Sequence, residues 1–137
     1  MAQPISARQS WNIVDSSAWI EFFIGSERAA LYDTVIQSTS KLLVPVISIY
    51  EVHRFLTRQA SAAQTDECLN LMRRSRVLPL TDARAIAASR LAQLHSLAMA
   101  DAMMYACAVE FDATLWTQDV DYAGLAQVEY RAKSPLK

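Results

Sequence analysis

Trp11-Asn12-Ile13-Val14-Asp15-Ser16-Ser17-Ala18-Trp19 is the stretch on which the fold turns. A short apolar run stops at Asp15, and an acid followed by serines is a helix start, because side-chain oxygens there accept the N–H groups that a first turn leaves unpaired. The reading is a strand, a tight turn and a helix that ends at Gly25.

The same alternation continues outward. Leu31 and Val35 mark a second helix, and Leu42-Leu43-Val44 is a strand closed by Pro45. Ser48 opens a helix with Val52, Phe55 and Leu56 at helical spacing, and Cys68, Leu69 and Met72 mark another. Arg76-Val77-Leu78-Pro79 reads as a short strand. Thr81 or Asp82 caps a helix carrying Ala87, Leu91 and Leu94, and Ser96 caps an alanine-rich helix that runs to Phe111. Thr114-Leu115-Trp116-Thr117 and, after a turn near Gly124, Val128-Glu129-Tyr130 return to strand. Strands alternating with helices predict an α/β fold: a central parallel sheet of four to five strands with right-handed crossovers and helices on both faces. At 137 residues the chain suits one domain, with 1–10 expected as a flexible extension and 131–137 as a tail.

Composition narrows the function. With 53% hydrophobic residues, 20% charged, 2 Gly and 4 Pro, the chain is globular, and Gly25 and Gly124 lie too far apart for a phosphate-cradling glycine loop. The longest apolar run, residues 42–50, contains Pro45 and is under half of the ~20 residues a membrane span needs. Asp15 interrupts the first apolar run before a signal-peptide core can form, so a cytoplasmic location is expected. Cys68 and Cys107 have no CxxC spacing and no His at ligand spacing, and read as reduced core thiols. The net charge of −1 hides an asymmetry: residues 54–90 hold seven arginines against Asp66, Glu67 and Asp82. A planar guanidinium fork suits phosphate, although a solvated helix face explains such a run about as often.

In a parallel sheet, ligands bind beyond the carboxyl ends of the strands, and four acids far apart in sequence belong there. Asp15 ends the first strand, Glu51 follows the second, Asp101 lies early in the alanine-rich helix, and Asp119 follows the strand at 114–117. Each has a structural alternative. Asp15 could be an N-cap, Ser48-Ile49-Tyr50-Glu51 matches a capping box, and Asp119 and Asp121 could form a turn. Asp101, between Met99-Ala100 and Ala102-Met103-Met104, needs a partner if buried. Converging carboxylates repel one another unless a cation neutralises them, and oxygen-only ligands point to Mg²⁺ or Mn²⁺. Neither His53 nor His95 has the company that zinc requires. Such a site suits hydrolysis of a phosphodiester.

Asn12-Ile13-Val14-Asp15-Ser16-Ser17, Glu51-Val52, Leu97-Ala98-Met99-Ala100-Asp101-Ala102 and Thr114-Leu115-Trp116-Thr117-Gln118-Asp119-Val120-Asp121-Tyr122 together resemble the PIN-domain nucleases, with the length of the VapC-type toxins of toxin–antitoxin pairs. The resemblance covers about residues 11–130. It implies divalent-metal endoribonuclease activity, a homodimer and an antitoxin that blocks the site. By match, Asp15, Glu51, Asp101 and Asp119 become catalytic, metal-holding acids, with Ser17 and Thr117 as supporting hydroxyls and Asp121 as an outer acid. Tyr122 stands where Phe is commoner, and Ala98 where a hydroxyl is common. Arg54 and Arg58, about one and two turns beyond Glu51, are the candidate grip on RNA phosphates.

Three rivals separate on residues or on turnover. A haloacid-dehalogenase-like phosphatase needs a second Asp where Ser17 stands. A metal-free ribonuclease needs an acid–base pair, commonly two His. A catalytically silent PIN-like module that binds RNA or protein has no need of four acids, and metal-dependent turnover distinguishes it.

Overall fold

The computed structural model describes residues 10–132; the expected flexible extension, but for Ser10, and the tail beyond Ala132 lie outside the described residues. The elements run β1 (Asn12–Val14), α1 (Ser16–Ile24), α2 (Ala30–Gln37), β2 (Leu42–Pro45), α3 (Val46–Gln59), α4 (Ala62–Met72), β3 (Arg76–Leu78), α5 (Asp82–His95), α6 (Met99–Phe111), β4 (Thr114–Thr117) and β5 (Val128–Tyr130), with single 3₁₀ turns at Glu27–Ala29, Thr39–Lys41 and Val120–Tyr122. All five strands pair in parallel, in the order β3-β2-β1-β4-β5.

Alternation along the strands builds two cores. Ile13, Leu43 and Leu115 face α5 and α6, packing with Ala88, Leu97, Met104 and Ala108. Val14, Leu42 and Val44 face the opposite side, against Trp19, Tyr32, Ile36, Val52 and Met72 of α1 to α4. With both faces covered, the strands are apolar on both sides, as the sequence runs show. Trp19 is fully buried and stacks on Phe23 at 5.5 Å, so of the aromatic cluster in α1 it belongs to the core.

The second helix forms where Leu31 and Val35 marked it, and buries Tyr32 and Ile36. Two local readings are corrected. Ser48 does not open its helix: α3 starts at Val46, directly after Pro45, and Ser48 Oγ donates to the Pro45 carbonyl at 2.7 Å from inside the first turn. Ser96 ends α5 instead of starting α6. It takes the left-handed conformation (φ 56°), and the N–H groups of Ser96 and Leu97 both close on the Ala92 carbonyl. The helix N-cap falls to Ala98, which has no side-chain acceptor, so Asp101 is the acid in the first turn of α6. A capping box forms where none was read, between Ser61 and Gln64 at the start of α4.

Candidate active site

The chain leaves β1 toward β2 and β3 on one side and reaches β4 and β5 on the other, so the connections after β1 and β4 diverge. A crevice opens at the carboxyl ends of these two neighbours, the place where parallel sheets bind ligands. Val14 pairs with Trp116, and the Asp15 N–H donates to the Trp116 carbonyl at 2.9 Å, which sets Asp15 beside Thr117. Asp15, Glu51, Asp101 and Asp119 line one cavity of about 610 Å³. The N-termini of α1, α3 and α6 point to the same edge, bringing partial positive charge to it.

Each acid is held by its own partner. Asp15, only 4% exposed, is the N-cap residue of α1, yet its carboxylate makes no capping bond. Its Oδ2 instead accepts from Ser17 Oγ and from the buried Thr117 Oγ1, both at 2.9 Å. Thr117 Oγ1 in turn accepts the Asp119 N–H at 2.9 Å, tying the ends of β1 and β4 together. Glu51 accepts from Ser16 Oγ at 2.7 Å. That bond, between residues 35 apart, replaces the capping box that the spacing of Ser48 and Glu51 suggested. Asp101 Oδ1 accepts from the Tyr122 hydroxyl at 3.2 Å. Asp119 Oδ1 accepts the Asp121 N–H at 2.9 Å, so Asp119 forms the turn and lines the cavity at once.

Ser16 and Tyr122 are the supporting hydroxyls that sequence reasoning missed. Ser16 was signalled only by its place between two residues already chosen, and Tyr122 only as a departure from Phe. Arg54 and Arg58 form one wall of the cavity with Tyr50, Phe55 and Gln59.

Carboxylate oxygens of Asp101, Asp119 and Asp121 lie within 4.8 Å of one another, and no ion pair joins the four acids to a cation among the described residues. The electrostatic consequence is plain. Burial, and to a lesser degree the Asp101 charge, push the Asp15 carboxyl up to about 6 from an ordinary 3.8, against the pull of Ser17 and Thr117. Burial and Asp119, with smaller repulsion from Glu51 and Asp121, push Asp101 up to about 6 as well. The Tyr122 phenol is pushed upward by burial and by the charges of Asp15 and Asp101, so it remains a donor.

A carboxyl raised in the folded state stabilises the fold below its unfolded pKa and loses that contribution as pH rises through the folded value. Here the window is about pH 4 to 7. The metal-free protein is therefore expected to melt higher at pH 5 than at pH 7.5 in chelator at equal ionic strength. The pair Arg84–Glu110, bidentate at 2.9 and 3.0 Å, acts in the opposite sense, since it holds Glu110 below its ordinary range and weakens only in more acid solution. A melting temperature that is equal or lower at pH 5 would show that the carboxyls of Asp15 and Asp101 are not raised in the folded protein.

A family model described as the PIN domain matches residues 13–128. No curated protein matches the chain. Among solved structures, a toxin–antitoxin complex from Klebsiella pneumoniae superposes with a TM-score of 0.74 at 19% identity, over 86% of this chain and 95% of that one. The sarcin–ricin loop-cleaving toxin VapC20 of Mycobacterium tuberculosis gives 0.67 at 17% identity, over 85% and 97%. VapBC2 from Rickettsia felis, bound to a promoter DNA fragment, gives 0.66 at 10% identity, over 88% and 97%.

Proposed function

The chain belongs to the PIN-domain family, and from that premise we propose that it is a divalent-metal-dependent endoribonuclease, the toxin of a toxin–antitoxin pair. The observation that carries the reading is the convergence of Asp15, Glu51, Asp101 and Asp119 in one cleft walled by Arg54 and Arg58.

The donor set fits a hard cation, being all oxygen and unneutralised by any ion pair among the described residues: oxygens of Asp101, Asp119 and Asp121 lie within 4.8 Å of one another, and Asp15 and Glu51 line the same cavity without belonging to that cluster. In this reading Asp15, Glu51, Asp101 and Asp119 would hold a Mg²⁺ or Mn²⁺, with Asp121 in support. Such an ion, when bound, polarises a phosphodiester and makes water a better nucleophile at neutral pH. The chain's own residues do the positioning. Ser17 and Thr117 aim the Asp15 carboxylate, Ser16 aims Glu51, and Tyr122 aims Asp101. Arg54 and Arg58 neutralise phosphates on either side of the scissile bond.

Likeness in fold to proteins named as toxins supports the toxin role. It also supports an antitoxin partner, whose fit to an acidic cleft calls for a cation-bearing segment. A homodimer and a cytoplasmic location complete the proposal; Leu94 and Met99 are exposed apolar side chains available to a second copy, and no helix among the described residues is long and apolar enough to cross a membrane.

Purified protein is expected to cut RNA with Mg²⁺ or Mn²⁺, to stop in chelator, and to recover when Mn²⁺ is returned. Because water is the attacking group, the products carry 5′-phosphates. Cleavage that persists in chelator, or leaves 2′,3′-cyclic phosphates, defeats the mechanism. Binding without turnover makes the protein a silent module.

A further inference from the structure

Tyr50 precedes Glu51 on α3 and is 57% exposed, although tyrosine rings usually bury their apolar body. It packs in neither core cluster. It lines the same cavity as the four acids, and its hydroxyl accepts from Arg54 Nη1 at 3.0 Å. Residues 50, 54 and 58 are spaced by four, so the ring and two guanidinium groups form a strip along α3, about 12 Å from first to last. Arg54 spends one of its five donors on the phenol and keeps the rest for another acceptor. Ile20 and Phe55, both half-buried, add apolar wall to the same cavity.

This arrangement goes beyond a grip on phosphates. A ring held by a hydrogen bond at its far end has lost much of its freedom before anything binds, so little more is lost when a flat group settles on it. A phosphate gains nothing from an uncharged ring, whereas any nucleobase offers a π-face, and a neighbouring guanidinium plane strengthens the stack. Bases inside a duplex keep their faces covered; only an unpaired nucleotide can be splayed onto a side chain. We infer that Tyr50, braced by Arg54, is a stacking subsite for one unpaired nucleobase next to the scissile phosphodiester. The inference rests on the ribonuclease reading above.

The test uses a twelve-nucleotide oligoadenylate carrying one 2-aminopurine, bound in EDTA so that the strand stays whole, and a strand of the same length that is abasic at every position. Wild-type protein is expected to quench the 2-aminopurine on binding. Tyr50→Ala binds about 10- to 100-fold more weakly and loses the quench, while Tyr50→Phe, which keeps the ring, restores the quench and most of the affinity. The abasic strand binds wild type and Tyr50→Ala alike. Equal affinity of wild type and Tyr50→Ala for the 2-aminopurine strand overturns the inference, as does a Tyr50→Phe variant that falls as far as Tyr50→Ala. If the wild type cuts RNA with Mn²⁺ while Tyr50→Ala is indistinguishable in binding, the subsite alone fails. If the wild type neither binds the strand nor cuts RNA, the ribonuclease reading fails and the subsite with it.

Discussion

Asp101→Asn is expected to cripple the proposed cleavage of RNA and to raise the melting temperature of the metal-free protein at neutral pH. The two effects have one cause. Asp101 sits among Asp15, Asp119, Glu51 and Asp121, and their mutual repulsion is part of what lifts the carboxyls of Asp15 and Asp101 to about 6. Asparagine keeps the shape and the acceptor that takes the Tyr122 hydroxyl, and removes only the charge. Relief of a close like-charge contact at a half-buried site is worth about 1 kcal/mol, or about 4 °C for a chain of this size. In the proposed reading the same change also removes an oxygen that would hold the metal. Mn²⁺ at a hundred times its dissociation constant stabilises the wild type by about 2.7 kcal/mol and the variant far less. Cleavage falls about a hundredfold or more. Thermal melts of both proteins with and without Mn²⁺, beside one cleavage assay, check all three. If Asp101 served only the first turn of α6, asparagine would be neutral or destabilising and Mn²⁺ would move both proteins equally.

Arg28→Ala is expected to cost about 3 kcal/mol of stability, a large share of what a domain of this size has. The guanidinium is buried in the 3₁₀ turn after α1, held in place where Ser26 Oγ accepts the Arg28 N–H at 3.2 Å. Its Nε donates to Gln118 Oε1 at 3.0 Å, and its Nη2 donates to the carbonyls of Arg131 and Ala132. Gln118 stands between Thr117 and Asp119 and reaches the Ser17 carbonyl at 3.4 Å. Alanine strands those acceptors and releases the segment that follows β5 from the sheet edge near the site. Arg28→Lys keeps the charge and loses the fork, so it recovers less than half of the loss. Denaturant midpoints measure both, and an unchanged midpoint for Arg28→Ala would mean that the clamp contributes nothing.

The elements were legible because each was written in local chemistry. Gly25 ends α1, Pro45 closes β2, Thr81 caps α5 by accepting the Arg84 N–H, and apolar runs bounded by these residues gave all five strands. The local readings failed where one residue type serves two ends of a helix. Ser96 looks like a start and is a left-handed stop, because the backbone around it closes on Ala92.

That the four candidate acids share one edge was also readable, since each follows a strand or opens a helix and a parallel sheet sends all such positions to one edge. Their pairings were not: Ser17 and Thr117 were expected as supporting hydroxyls with no acid assigned to either, and Ser16 and Tyr122 were not expected. Ser16 reaches Glu51 across 35 residues, Thr117 reaches Asp15 across 102, and Tyr122 reaches Asp101 across 21. Sequence by itself determined the elements, their alternation and the acids, because propensity, caps and periodicity act within a few residues along the chain. Tertiary structure alone decided which hydroxyl holds which carboxylate, how far burial raises Asp15 and Asp101, and that Tyr50 stands exposed beside Glu51. Those outcomes depend on the register of β1 against β4 and on where α3 and α6 cross the sheet, both set by how the two cores pack.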